Sequence, residues 1–153
     1  MLYLLALLIG VIAGLRAMTA PAAIAWAVYL GWLDLSATPL AFMGYAWTPW
    51  IFTVLALVEL IADQLPSTPS RTVPVQFGTR VVVGALCGAC VGAAGGNLAV
   101  GAACGALGAV VGTLGGRSVR RSLAASFGKD PPAAFIEDAV AIIGAVLIVV
   151  VLR

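Results

Sequence analysis

Long apolar stretches separated by short polar segments dominate this chain. Four of them approach the roughly 20 residues that a helix needs to cross a hydrocarbon core, and they span about residues 40–65, 77–94, 98–115 and 133–152. A fifth, interrupted stretch covers residues 1–33. Because these stretches leave no room for a separate soluble part, the pattern predicts one all-α integral membrane domain over residues 1–153.

The interrupted stretch at the N-terminus allows two interpretations. Either residues 1–13 and 18–33 form two short crossings joined by a tight turn, which leaves Arg16 at a surface, or they form one long helix broken near the midplane. A broken helix would bury Arg16, which would then need a carboxylate partner. We favour the turn, with Pro21 in the first turn of the second helix. The fold prediction is therefore a compact bundle of about six short or broken transmembrane helices.

Composition agrees with a membrane protein and excludes several functions. The 153 residues are 63% hydrophobic and 9% charged, with a mean hydropathy of +1.14, whereas charged residues make up about a quarter of soluble domains. A net charge of +2 without a basic aromatic helix argues against nucleic acid. No histidine is present, and Cys87 and Cys90 form a CxxC only within an apolar run of small residues. We predict no catalytic residue and no cofactor.

The basic residues fall on one side of a bundle with six crossings. Those on that side are Arg16, Arg71, Arg80, Arg117, Arg120, Arg121 and Lys129. The terminal Arg153 lies opposite. Since Lys and Arg concentrate in cytoplasmic loops, we expect a multi-pass protein of the bacterial inner membrane with its basic loops in the cytoplasm.

Four carboxylates accompany these basic residues at one depth. Glu59 and Asp63 are four residues apart and share a helix face, and Glu137 and Asp138 lie near the start of the last apolar stretch. At about 1.5 Å per residue, Glu59 and Glu137 lie about 10 Å inside the same membrane boundary. Ionisable residues at such depth usually face a partner or a water-filled cavity. The predicted binding site for an ion, a proton or a small solute comprises Glu59, Asp63, Glu137, Asp138, Arg16 and Arg80.

Regularly spaced glycines mark the central part of the chain. They predict a glycine-rich hairpin of two closely packed helices, joined by Gly95, Gly96 and Asn97. The packing glycines are Gly84, Gly88, Gly92, Gly101, Gly105, Gly108 and Gly112. Tight packing is the favoured interpretation, and glycines lining a narrow permeation path are the alternative.

Short motifs recur between the two halves of the chain. The tripeptide GLR at residues 14–16 recurs as GTR at 78–80, and ELIAD has an echo in FIEDAVA. With three crossings in each half, residues 1–66 and 77–153 would form an inverted three-helix repeat, an architecture that many transporters use.

The segments GLRAMTAPAA and ELIADQLP, and a basic segment followed by a Glu-Asp pair, resemble the domain-of-unknown-function 4126 family of bacterial membrane proteins. The motifs occur in the family's order over nearly the whole chain. The resemblance implies a small multi-pass inner-membrane protein with motif residues Gly14, Arg16, Glu59, Asp63, Pro66, Glu137 and Asp138. Many relatives have a lysine where Gln64 stands here, so any charge pairing by that lysine is absent. The resemblance implies no biochemical activity.

Three function classes follow. The leading hypothesis is a small transporter or channel, expected to be a dimer, in which carboxylates bind a cation or proton and Arg16 or Arg80 balances them. The second is a protein or enzyme for a phosphorylated lipid, with Mg²⁺ on the carboxylates and phosphate held by Arg117, Arg120 and Arg121. The third is a structural scaffold that assembles through its glycine faces. Membrane lipids are partners in each case.

Overall fold

The apolar stretches form helices. The computed structural model of the chain describes residues 1–63 and 73–153, which contain six α-helices, one 3₁₀ helix and no strand. The elements are α1 (Leu2–Leu15), α2 (Thr19–Tyr29), the 3₁₀ helix η1 (Ala41–Gly44), α3 (Thr48–Ala62), α4 (Pro74–Ala94), α5 (Leu98–Phe127) and α6 (Asp130–Val151). The prediction of an all-α chain with six helices is confirmed.

Three helices are long and apolar enough to cross a membrane. They are α4 with 21 residues, α5 with 30 and α6 with 22. The apolar helices α1, α2 and α3 have 14, 11 and 15 residues, fewer than the roughly 20 that a crossing needs. The chain is thus a membrane protein with transmembrane helices, and half of its helices are short.

Two predicted helix boundaries are wrong. Residues 40–65 do not form one helix, because η1 is followed by an extended Tyr45 and α3 begins only at Thr48. Pro49 lies in the first turn of α3, where its missing amide costs no hydrogen bond. The fifth helix does not end near residue 115 but continues to Phe127, so the basic segment is helical. It ends at Gly128, whose φ of 66° suits glycine after a helix.

The helices α1, α4 and α5 form the most closely packed part of the bundle. Tyr3 bonds to the carbonyl of Gly95 after α4, while Arg80 near the start of α4 bonds to Gly14, so α1 and α4 are antiparallel. The turn after α4 uses Gly96 with a φ of 79° and leads into α5, which returns antiparallel to α4 and parallel to α1.

Glycines occupy the contacts among these three helices. On α1, a Cβ atom at Gly10 or Gly14 would approach the α5 backbone more closely than 3.0 Å. On α4 and α5, a Cβ atom would approach a neighbouring helix backbone or Ala109 more closely than 3.0 Å at seven glycines, which are Gly84, Gly88, Gly92, Gly101, Gly105, Gly108 and Gly112. The first five lie between α4 and α5, whereas the last two face α1 at Leu7 and Val11. Backbones at such short separation leave no room for a side chain.

The helices α6, α2 and α3 pack against this group. Ile12 of α1 packs on Gly144 of α6. Trp32, just beyond the C-terminal end of α2, lies beneath the guanidinium of Arg153 at the end of α6, 5.7 Å from the ring centroid. α1 is therefore antiparallel to α6, and α2 is parallel to it. The chain therefore reverses direction between α1 and α2. Trp26 fixes α2 to α3, because its Nε1 donates to Thr53 Oγ1 at 3.0 Å and its ring packs edge-on against Trp50.

The recurring motifs occupy different positions in their helices. GLR lies at the C-terminal end of α1, whereas GTR lies near the start of α4. ELIAD likewise ends α3, and the Glu-Asp pair lies in the N-terminal half of α6. The inverted repeat of residues 1–66 and 77–153 stays a prediction.

The glycine contacts predict the effect of adding a side chain. Gly105→Leu should lower the free energy of unfolding in detergent by roughly 1–3 kcal/mol or more, because the new side chain overlaps the α4 backbone at Gly84 and Gly88. Gly78→Leu is the control, since no atom of the described residues lies within 4 Å of a Cβ there. Equal stability of the two variants would contradict this packing.

Candidate functional site

The turn between α1 and α2, residues 16–18, lies deep within the bundle. Arg16 in the turn contacts Asp138 on α6, and the last residues of α1 just before the turn contact Arg80 on α4 and Thr113 on α5. Each of these positions is about 20 Å from the end of its helix on the side of the chain termini, at 1.5 Å per residue. The turn is therefore enclosed by the bundle far from one of its ends, where backbone groups must be satisfied by the protein.

The C-terminal end of α1 is held by Arg80. Its Nη1 donates to the carbonyl oxygens of Gly14 at 2.9 Å and Leu15 at 2.7 Å, two of the carbonyls that lack a partner within the helix. The Thr113 hydroxyl lies 3.2 Å from the Gly14 carbonyl and 2.8 Å from that of Ala109. A buried cation at the C-terminal end of α1 also complements the helix dipole.

The approach to α2 is held by Glu59, which α3 supplies. The amides of Ala17 and Met18 donate to Glu59 Oε1 and Oε2, each at 2.8 Å. Glu59 thus acts as an N-terminal cap from another helix, and its charge favours that end of α2. Arg80 Nη2 lies 3.5 Å from Glu59 Oε1, so one ion pair links the groups that hold both sides of the turn.

Arg16 connects the turn to two further helices. Its Nη1 forms an ion pair with Asp63 at the end of α3, and its Nη2 forms one with Asp138 on α6. The expectation that Arg16 lies at a surface is wrong, because the side chain is fully buried. The chain does reverse direction here, as predicted for two short helices joined by a tight turn. The buried charge of Arg16 nevertheless has carboxylate partners, as predicted for one long broken helix. Both carboxylates are nearly buried as well.

Glu137 forms contacts with α5. Arg120 Nη1 lies 3.4 Å from Glu137 Oε2, and the same guanidinium binds both oxygens of Asp130 at 3.0 and 2.6 Å. This arrangement joins the start of α6 to the lower part of α5, meaning the end of α5 towards Phe127. Arg117 and Arg121 lie exposed on the same part of α5. Arg71, Gln64 and Pro66 lie outside the described residues.

Two buried polar atoms beside the turn lack partners. Arg16 Nε and the hydroxyl oxygen of Thr19 have no hydrogen-bond partner within residues 1–63 and 73–153. Thr19 is 8% exposed and Arg16 is not exposed at all. Buried polar groups are nearly always hydrogen-bonded to protein or ordered water, so these atoms mark a place for a polar ligand or water.

Sequence reasoning did not assign Thr113 or Thr19 to the site. Thr113 is buried within the glycine-rich part of α5. Its single hydroxyl among apolar neighbours is the feature of the sequence that could have identified it. In the part of the chain that the structure describes, no group of three or more His, Cys, Asp or Glu side chains is arranged to hold a metal ion.

The comparisons with known proteins give a family and no activity. The model of the family "Domain of unknown function (DUF4126)" matches residues 3–151, nearly the whole chain. The chain therefore belongs to this family, and the resemblance seen in the sequence is confirmed. No curated protein and no solved structure matches the chain.

The buried ion pairs of Arg16 predict a large stability effect. Arg16→Met should cost roughly 3–5 kcal/mol of unfolding free energy, because two nearly buried carboxylates lose their partner. Adding Asp63→Asn and Asp138→Asn to this variant should restore part of the loss. Lys129→Met, at an exposed position, is the control. If Arg16→Met unfolds at the same denaturant concentration as the control, breaking these ion pairs does not cost the predicted unfolding free energy.

Proposed function

We propose that this member of the DUF4126 family is a small transporter or channel of the bacterial inner membrane. Its binding site for an ion, a proton or a small polar solute is the charged cluster around the α1–α2 turn. The observation that supports this proposal is that the C-terminal end of α1 and the N-terminal end of α2 are buried among ionisable side chains. Transporters commonly bind substrates and coupling ions where interrupted helices expose backbone groups near the midplane.

The cluster contains groups with different roles in this proposal. Arg80 and Glu59 contact backbone atoms and hold the turn in place. Asp63 and Asp138 each form an ion pair with the buried Arg16, and in this proposal they are the groups that exchange a proton or a cation. Neutralising either carboxylate weakens one of the two ion pairs of Arg16, so that binding of a proton or cation at a carboxylate changes how firmly the turn is held.

The unpartnered atoms indicate the chemistry of the ligand. Arg16 Nε can only donate a hydrogen bond, and the Thr19 hydroxyl can donate or accept one. A ligand with an oxygen atom, such as water, a hydrated cation or a small polar solute, satisfies both. Glu137 and Arg120 belong to the same lower half of the bundle and extend the polar region towards the basic end of α5.

The orientation in the membrane is part of the proposal. The exposed basic residues Arg117, Arg121 and Lys129 lie at the end of the bundle where α5 meets α6, whereas Arg153 lies at the other end beside Trp32. Since basic residues favour the cytoplasmic side, the α5–α6 end faces the cytoplasm and the termini face outward. The dimer stays a prediction.

Flux across liposome membranes tests the transport role. The purified protein should carry proton or potassium flux under an imposed gradient, read with a pH-sensitive dye and a potassium electrode. Glu59→Gln should lower this flux because it removes the charge that caps α2, and Asp63→Asn because it removes a partner of Arg16. Asp34→Asn, in an exposed loop remote from the turn, is the matched control. Flux that is unchanged in both cluster variants would contradict the assigned roles.

Cysteine labelling in intact cells tests the orientation. The three native cysteines are first replaced by alanine, and Ser126→Cys and Ser36→Cys are then introduced separately. Both serines are exposed, one at each end of the bundle. An impermeant maleimide should label the cysteine at position 36 in intact cells and that at 126 only after lysis. The opposite pattern would reverse the orientation.

A further inference from the structure

A mostly apolar groove lies beside the charged cluster. It encloses about 300 Å³ between α1, α5 and α6. Its lining residues are Val11, Leu15, Val111, Gly112, Gly115, Gly116, Val119, Arg120, Leu123, Ala133, Ile136, Glu137 and Val140. All are apolar or glycine except Arg120 and Glu137.

The groove exists because of helix lengths and two glycines. α1 ends at Leu15, while its parallel neighbour α5 continues to Phe127, so α1 does not cover α5 and α6 beyond that point. Gly115 and Gly116 of α5 line the groove and have no side chains that could fill it. No atom of the described residues lies within 4 Å of a Cβ atom built at Gly115. Its volume is at the lower end of the range of ligand pockets.

The two ends of the groove differ in polarity. The end formed by Val11 and Val111 is apolar, and apolar cavities do not retain water. The other end reaches Arg120, where basic side chains outnumber carboxylates among the described residues. The basic residues there are Arg117, Arg120, Arg121 and Lys129, and the carboxylates are Asp130 and Glu137. The complementary occupant has an apolar chain and an anionic head.

We infer that this groove binds one acyl chain of an anionic phospholipid, with the phosphate at the basic end of α5. Arg121 and Lys129 are exposed and available to the headgroup. Arg120, held between Asp130 and Glu137, forms the wall between the headgroup and the chain. Basic clusters at the cytoplasmic end of membrane helices attract anionic lipids in this way. This inference does not depend on transport.

Native mass spectrometry of delipidated protein tests the lipid site. The protein is incubated with equal amounts of dioleoyl phosphatidylglycerol and dioleoyl phosphatidylcholine, so that only the headgroup differs. Phosphatidylglycerol should be retained in preference, one molecule to each chain. Arg121→Gln should lower its retention about fivefold, the effect of one basic residue near a membrane surface, while retention of phosphatidylcholine stays the same.

A groove-filling variant tests the acyl-chain contact. Gly115→Leu should lose most of the phosphatidylglycerol retention, whereas Gly78→Leu, the same change at another open helix position, should keep it. Circular dichroism of both variants checks that they are folded, and Val119→Trp provides a second filling variant at an exposed wall position. Asp63→Asn should retain the lipid whether or not it carries flux, which separates this inference from the transport proposal.

Three results would overturn the lipid site. One is equal retention of the two lipids, which indicates non-specific contact with the apolar surface. Another is equal retention by Gly115→Leu and Gly78→Leu. The third is a dimer in the unmodified protein that Gly115→Leu dissociates without any change in lipid retention, which would assign the groove to a second copy of the chain.

Discussion

The structure depends on one constraint, the need to satisfy backbone groups where the chain reverses between α1 and α2 inside an apolar bundle. Neither lipid nor bulk water can pair with those groups at that depth. Arg80 supplies donors for the Gly14 and Leu15 carbonyls, and Glu59 supplies acceptors for the two amides that follow. These two charges come from α4 and α3, so the turn forms only when three parts of the chain meet.

Arg16 extends this constraint to α6. Its charge lies within the turn and requires Asp63 on α3 and Asp138 on α6. Such buried ion pairs contribute little net stability, because desolvation offsets much of their attraction, but breaking one is costly. Their effect here is therefore to specify one arrangement of helices. The glycines of α4 and α5 permit that arrangement, since they let the backbones approach until Arg80 and Thr113 reach Gly14.

The sequence showed where the charges lie but not how they pair. Glu59, Asp63 and Asp138 could be identified because a carboxylate within an apolar run is costly unless it has a partner. The choice of partner depends on which helices are neighbours, and apolar periodicity does not determine this. Arg16 was expected at a surface because a tight turn usually ends a crossing, whereas α1 and α2 are too short to bring this one to the membrane boundary.

The helix boundaries show the same limit. The extension of α5 through Arg117 and Arg121 was not expected, because Gly115, Gly116 and the charges that follow suggested a loop. That extension creates both the contact between Arg120 and Glu137 and the groove between α1, α5 and α6, so one wrong boundary left two features unpredicted. The glycine spacing of α4 and α5, in contrast, supports a prediction of close packing from the sequence alone, because close helix approach needs small residues at regular intervals.

We propose that the α1–α2 turn holds a polar ligand as well as a structural network of charges. The decisive measurement is a high-resolution structure of the protein in lipid, through the density beside Arg16 Nε and Thr19 Oγ1. We expect an ordered water, ion or solute within hydrogen-bond distance of one or both atoms. Density showing that both atoms bond to protein groups, with no space between them for a ligand, would contradict it.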